Sequence, residues 1–85
     1  MSIVVTEIKT QNCSRCKQFE PEYQSIKLQY PDVEFKELVF GVDKEAMEYA
    51  QKHGIKSAPT FVIEKGDSVN VVGPENLANT LKEIC

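Results

Sequence analysis

Cys13 and Cys16 stand three positions apart, where an apolar run ends and a helical pattern begins. No other feature constrains the fold as tightly, because thiols so spaced can close a small disulfide ring only if the backbone turns sharply between them. A thiol at the first turn of a helix meets N–H groups without intrahelical partners and the positive end of the helix dipole. Both favour the thiolate, which is the attacking species in disulfide exchange. Taken alone, a C-x-x-C is compatible with redox chemistry, zinc ligation or chance.

The pattern on either side predicts alternating strands and helices. Ser2 to Ile8 is β-branched and partly alternating, which reads as a first strand, and Lys9 to Asn12 reads as a polar loop. Cys16, Phe19, Tyr23, Ile26 and Tyr30 then repeat at helical spacing up to Pro31, with Pro21 bending the helix from inside. Val33 to Phe40 reads as a second strand, its alternation slipping phase between Phe35 and Leu38 as a bulge or a two-faced buried strand would. Asp43 is placed to cap a helix ending at His53–Gly54, with Val42 and Met47 spaced as a hydrophobic staple. Thr60 to Ile63 and Ser68 to Val72 flank Lys65-Gly66-Asp67 as a hairpin, and Gly73-Pro74 opens a last helix with Leu77, Ala78, Leu81 and Ile84 on its core face. The order is β-α-β-α-β-β-α, an α/β fold whose parallel first half crosses over through a helix.

Size and composition narrow the function. Eighty-five residues make one domain, 1–85, and 41% hydrophobic with 27% charged residues is ordinary for a folded soluble chain. A net charge of −3 without a basic cluster argues against nucleic acid as a partner, and the apolar runs are too short for a membrane span. Met1-Ser2-Ile3 leads straight into strand-like sequence with no signal-peptide pattern, so the expectation is a cytoplasmic protein. Three cysteines do not make a disulfide-stapled miniprotein, and Cys85 at the last position reads as an incidental thiol.

The elements and the motifs on them resemble the thioredoxin/glutaredoxin superfamily over nearly the whole chain. Cys13-Ser14-Arg15-Cys16-Lys17 followed by Pro21 is similar to thioredoxin's C-x-x-C-K-x-x-x-P, and His53-Gly54-Ile55-Lys56-Ser57-Ala58-Pro59-Thr60 to its Y-G-I-x-x-x-P-T segment. Thioredoxin's tryptophan before the first cysteine is Asn12 here, and its extra initial strand and helix have no counterpart. The length is that of a minimal glutaredoxin, yet the glutaredoxin Gly-Gly-x-x-Asp element is replaced by Gly73-Pro74-Glu75-Asn76. The resemblance implies a minimal thioredoxin fold, a four-stranded mixed sheet flanked by three helices. It also implies a thiol–disulfide oxidoreductase acting on protein disulfides, of the short type that donates electrons to ribonucleotide reductase.

Role assignments follow. Cys13 at the helix edge is the expected nucleophile, and Cys16, one turn inward beside Phe19, the expected resolving thiol. Ser14 and Arg15 between them, with Ala58 and Pro59, are the expected substrate contacts. Arg15 supports the thiolate or an acidic partner, or is simply solvated. The resemblance implies a cis bond before Pro59 and a free Ala58 backbone that pairs with an extended peptide; without it, Pro59 would merely start a strand. Glu7 lies six residues before Cys13, where thioredoxin keeps a buried proton-transfer acid, although strand alternation alone leaves open whether it faces core or solvent. Lys17 is expected to be exposed, and His53 to be a helix-terminal residue.

No cofactor beyond the Cys13–Cys16 disulfide and no metal is implied; the expected state is a monomer, and the expected reductant a thioredoxin reductase-like flavoprotein or glutathione. The competing readings are a metal-binding module using Cys13 and Cys16 with His53 or Cys85, an iron–sulfur cluster bridging two subunits through two cysteines of each chain, a glutathione-dependent glutaredoxin, and a redox-inert interaction module.

Overall fold

A computed structural model describes residues 2–85. The elements are β1 (Ile3–Thr10), α1 (Ser14–Gln29), β2 (Glu34–Phe40), α2 (Lys44–His53), β3 (Thr60–Lys65), β4 (Ser68–Val72) and α3 (Pro74–Ile84). They form one sheet in the order β2-β1-β3-β4, with β1 parallel to β2 and antiparallel to β3, and β3 antiparallel to β4. The two central strands carry the apolar runs, as double-sided burial requires. Gly66, at a φ of 59°, takes the first position of the two-residue β3–β4 turn, where strand twist favours a positive φ.

Alternation along β1 divides the core. Ile3 and Val5 face a cluster with Phe19, Tyr23 and Ile26 of α1, Phe61 and Ile63 of β3, and Leu77 and Leu81 of α3. Ile8 and Val62 face the other way, onto Ala46 of α2 with Leu38, Tyr49 and Ile55 around it. α1 and α3 therefore cover one face of the sheet and α2 the other. At the centre of the larger cluster the Tyr23 ring lies 5.2 Å from Phe61 and meets Phe35 edge-on at 5.8 Å.

Several local expectations change. β1 runs on through Lys9 and Thr10, because these pair with Val39 and Phe40, so the polar loop shrinks to Gln11–Asn12. β3 likewise extends to Lys65. β2 carries no bulge: its register with β1 is continuous from Glu34 to Phe40. The phase slip arises because Phe35 packs on the α1 face and Leu38 on the α2 face of an edge strand only half covered on either side. Val42 and Met47 are exposed rather than a buried staple, and the Asp43 carboxylate accepts the Val39 N–H at 2.9 Å instead of capping α2. On α3 the buried stripe is Leu77 and Leu81, with Ile84 partly covered and Ala78 exposed. Gly54 ends α2 in the left-handed region (φ 63°), donating its N–H to the Ala50 carbonyl.

Candidate functional site

Cys13 stands beyond the C-terminal end of β1 as the N-cap of α1. It and Cys16 are joined as a disulfide. The Cys13 sulfur accepts the Cys16 N–H at 3.0 Å, and the Cys13 carbonyl accepts the Lys17 N–H at 3.2 Å. The sulfur thus takes the place of the side-chain oxygen that usually satisfies an orphan N–H at a helix start. After reduction, the same N–H and the helix dipole face the Cys13 sulfur and favour its thiolate.

Burial alone does not separate the cysteines, which are 9% and 7% exposed. Their surroundings do. A groove of about 500 Å³ on the α2 side is lined by Cys13, Ser14, Arg15 and Ala58, with Ile8, Phe40, Ile55 and Lys56 among its walls. A second hollow, on the α1 side, reaches both Cys13 and Cys16 and is bordered by Lys9, Lys17, Glu20 and Glu37. Cys13 opens onto both hollows and Cys16 onto one.

The Ala58–Pro59 bond is cis and lies beside the groove, immediately before β3. Thr60 donates its hydroxyl to the Ser57 carbonyl at 2.7 Å and ties this loop to the strand. Neither the N–H nor the C=O of Ala58 has a hydrogen-bond partner among the described residues. Ser14, Arg15 and Ala58 line this groove with Cys13, and Pro59 follows Ala58; Pro59 is buried, and Ser14 and Arg15 are exposed.

Glu7 is 1% exposed and sits on the sheet face covered by α1, opposite Phe61 of β3 and beside Glu37 of β2. Its Oε1 has no hydrogen-bond partner. Burial, opposed by Lys9 and reinforced by Glu37 and Glu20, pushes its carboxyl up to about 7. Lys9 is paired with Glu37 at 3.5 Å. Sequence reasoning singled out Glu7 but missed Glu37 and the groove wall Phe40, whose positions depend on the β1–β2 register, and Ile55, whose position depends on where α2 packs.

The residues invoked for a metal do not gather. Cys85 is exposed and borders Ile3, Tyr30 and Pro31 at the opposite end of the sheet. His53 ends α2 with its ring stacked 5.8 Å from Tyr49. Among the described residues no group of three or more His, Cys, Asp or Glu side chains converges. No described helix is long and apolar enough to cross a membrane.

With this geometry in hand, similarity to known proteins is specific. The family profile described as Thioredoxin matches residues 1–84. The chloroplastic thioredoxin F1 of Arabidopsis thaliana is 36% identical over 67 residues, 79% of this chain and 36% of that protein. The chain thus spans about a third of the length of the curated relatives it matches. Spinach chloroplast thioredoxin f in its short form superposes with a TM-score of 0.78 at 31% identity, covering 96% of this chain and 75% of that one. A chain from the complex of ferredoxin:thioredoxin reductase with thioredoxin f2 superposes with a TM-score of 0.79 at 29% identity, covering 98% and 77%.

Proposed function

The chain belongs to the thioredoxin family, and on that premise we propose that it is a thiol–disulfide oxidoreductase that reduces protein disulfides with its Cys13–Cys16 dithiol. The observation that carries this reading is the Cys13 sulfur at the α1 N-cap, receiving an N–H and opening onto a groove walled by the cis-Pro59 loop.

In the reaction, the Cys13 thiolate attacks one sulfur of the substrate disulfide. A Cys13–substrate disulfide forms, the substrate S–S bond breaks, and the departing sulfur leaves as a thiolate that takes up a proton. Cys16 then loses its proton and attacks the Cys13 sulfur. The Cys13–Cys16 disulfide closes, and the second substrate sulfur leaves and is protonated. Two electrons pass to the substrate, and the dithiol ends as the disulfide. Glu7, on the sheet face beneath α1 and with a pKa of about 7, is the proposed acceptor of the Cys16 proton. Ala58 offers an unpaired N–H and C=O for an extended substrate backbone, by strand addition.

Recycling calls for an external reductant. A thioredoxin reductase-like protein is the proposed donor, in preference to glutathione, and ribonucleotide reductase is among the proposed acceptors. One neighbouring fold comes from a complex with ferredoxin:thioredoxin reductase, which supports a dedicated reductase.

The test uses paired variants. Cys13→Ser is expected to abolish reduction of an exposed protein disulfide, since serine is a far weaker nucleophile at neutral pH. Cys16→Ser is expected to accumulate a substrate adduct on Cys13, seen as a mass increase lost on adding dithiothreitol. Wild-type turnover by Cys13→Ser, or trapping through Cys16 instead, would overturn the assignment.

A further inference from the structure

The two hollows beside Cys13 differ in charge. On the α1 side, Lys9 and Lys17 are balanced by Glu20 and Glu37. On the α2 side the groove is lined by Arg15 and Lys56 and by no Asp or Glu. This is not a reflection of composition, because the chain as a whole carries a net charge of −3. Both cations are exposed, and among the described residues neither takes part in an ion pair.

We propose that the α2-side groove docks an extended protein segment bearing carboxylates beside its disulfide, with Arg15 and Lys56 as the recognising cations; this rests on the disulfide-reductase reading above. The groove has the parts for such a segment. Phe40, 44% exposed, and half-buried Ile55 offer apolar walls to an alternate side chain, and the unpartnered Ala58 backbone offers strand-like pairing. Arg15 stands next to the attacking cysteine's own turn and Lys56 across the groove on the segment leading to Ala58, so carboxylates flanking the substrate cysteine meet a cation from either wall. With no carboxylate in the lining, an acidic segment meets attraction alone, and a basic one meets two like charges.

Oxidised glutathione, a small disulfide with four carboxylates, shares this chemistry, but Arg15 and Lys56 meet only two of them and the others need a further cradle. The start of α3 does not supply one: Pro74 removes an N–H, and a Cβ placed on Gly73 would lie 2.8 Å from Glu75 Oε1, so that helix end carries its own carboxylate. The occupant is therefore a peptide segment.

The experiment compares reduction of disulfide-closed peptides identical except for Glu, Gln or Lys at the positions flanking the attacked cysteine. At an ionic strength of about 0.01 M, where charges act over roughly 30 Å, kcat/KM for the Glu peptide is expected to exceed that for the Lys peptide by roughly tenfold. The readout is this ratio within each variant, so an effect of Arg15 on thiol reactivity cancels. Arg15→Glu and Lys56→Glu should each shrink the ratio, and the double variant should invert it. Lys82→Glu, the same charge change on α3 outside the groove, should retain it. Salt near 1 M, with screening within about 3 Å, should level the peptides. Equal rates at low salt, an order unchanged in the double variant, or faster reduction of oxidised glutathione than of the Glu peptide would overturn the proposal. Failure to reduce even the Gln peptide would instead overturn the reductase reading on which it stands.

Discussion

Glu7 shows how one side chain ties stability to chemistry. A carboxyl closed off from water resists ionising, and the Glu37 and Glu20 carboxylates nearby add repulsion that Lys9 only partly offsets. In the folded chain Glu7 holds its proton up to about pH 7, whereas at its ordinary value of 4.5 the unfolded chain has already released it. Between those values the folded state binds more protons than the unfolded one, so stability falls as pH rises, and below 4.5 the contribution is fully present. The loss across this window is expected to be on the order of 2–3 kcal/mol. Denaturant midpoints of the wild type should decline from pH 4.5 to 7, and Glu7→Gln, which cannot ionise, should flatten that decline. Parallel curves for the two proteins would show that Glu7 is not the group responsible.

Helix starts carry the contrast at the scale of elements. α1 begins with a sulfur that receives the Cys16 N–H, and so presents its dipole to the redox centre. α3 begins with Pro74 and with the Glu75 carboxylate folded against Gly73, and so occupies its own N-terminus. An anionic reductant gains nothing there. In coupled assays at matched protein concentration, a thioredoxin reductase with NADPH is therefore expected to recycle Cys13–Cys16 faster than glutathione with glutathione reductase. Faster recycling by glutathione would move the reductant assignment to the tripeptide.

Across the whole molecule, chemistry and terminus lie at opposite ends of the sheet. The C-terminal ends of β1 and β2 and the N-terminal end of β3 meet at Cys13, the usual place for a site in such sheets. Ile3, Tyr30 and Cys85 gather at the other end, where the Lys65 ammonium also donates to the Ile84 carbonyl at 2.7 Å. The third thiol is thus separated from the disulfide by the length of β1. Cys85→Ser is expected to leave kcat/KM for protein-disulfide reduction unchanged, and a drop beyond about twofold would bring this thiol into the redox cycle.

Local features were legible in the sequence alone: the order of elements, Cys13 at a helix start, the Gly54 stop, the Lys65-Gly66-Asp67 turn and Pro21 inside the first helix. Each depends on residues within a turn or two of one another, where dihedral preference and capping act without reference to the rest of the chain. The far side of each strand was settled by long-range packing. Whether Glu7 met core or water, why Phe35 and Leu38 broke alternation, and which walls Phe40, Ile55 and Lys56 would build all depended on register and on helix placement. A strand's two-residue period states that its faces differ but not which neighbour covers each, because that is set by partners distant in the chain.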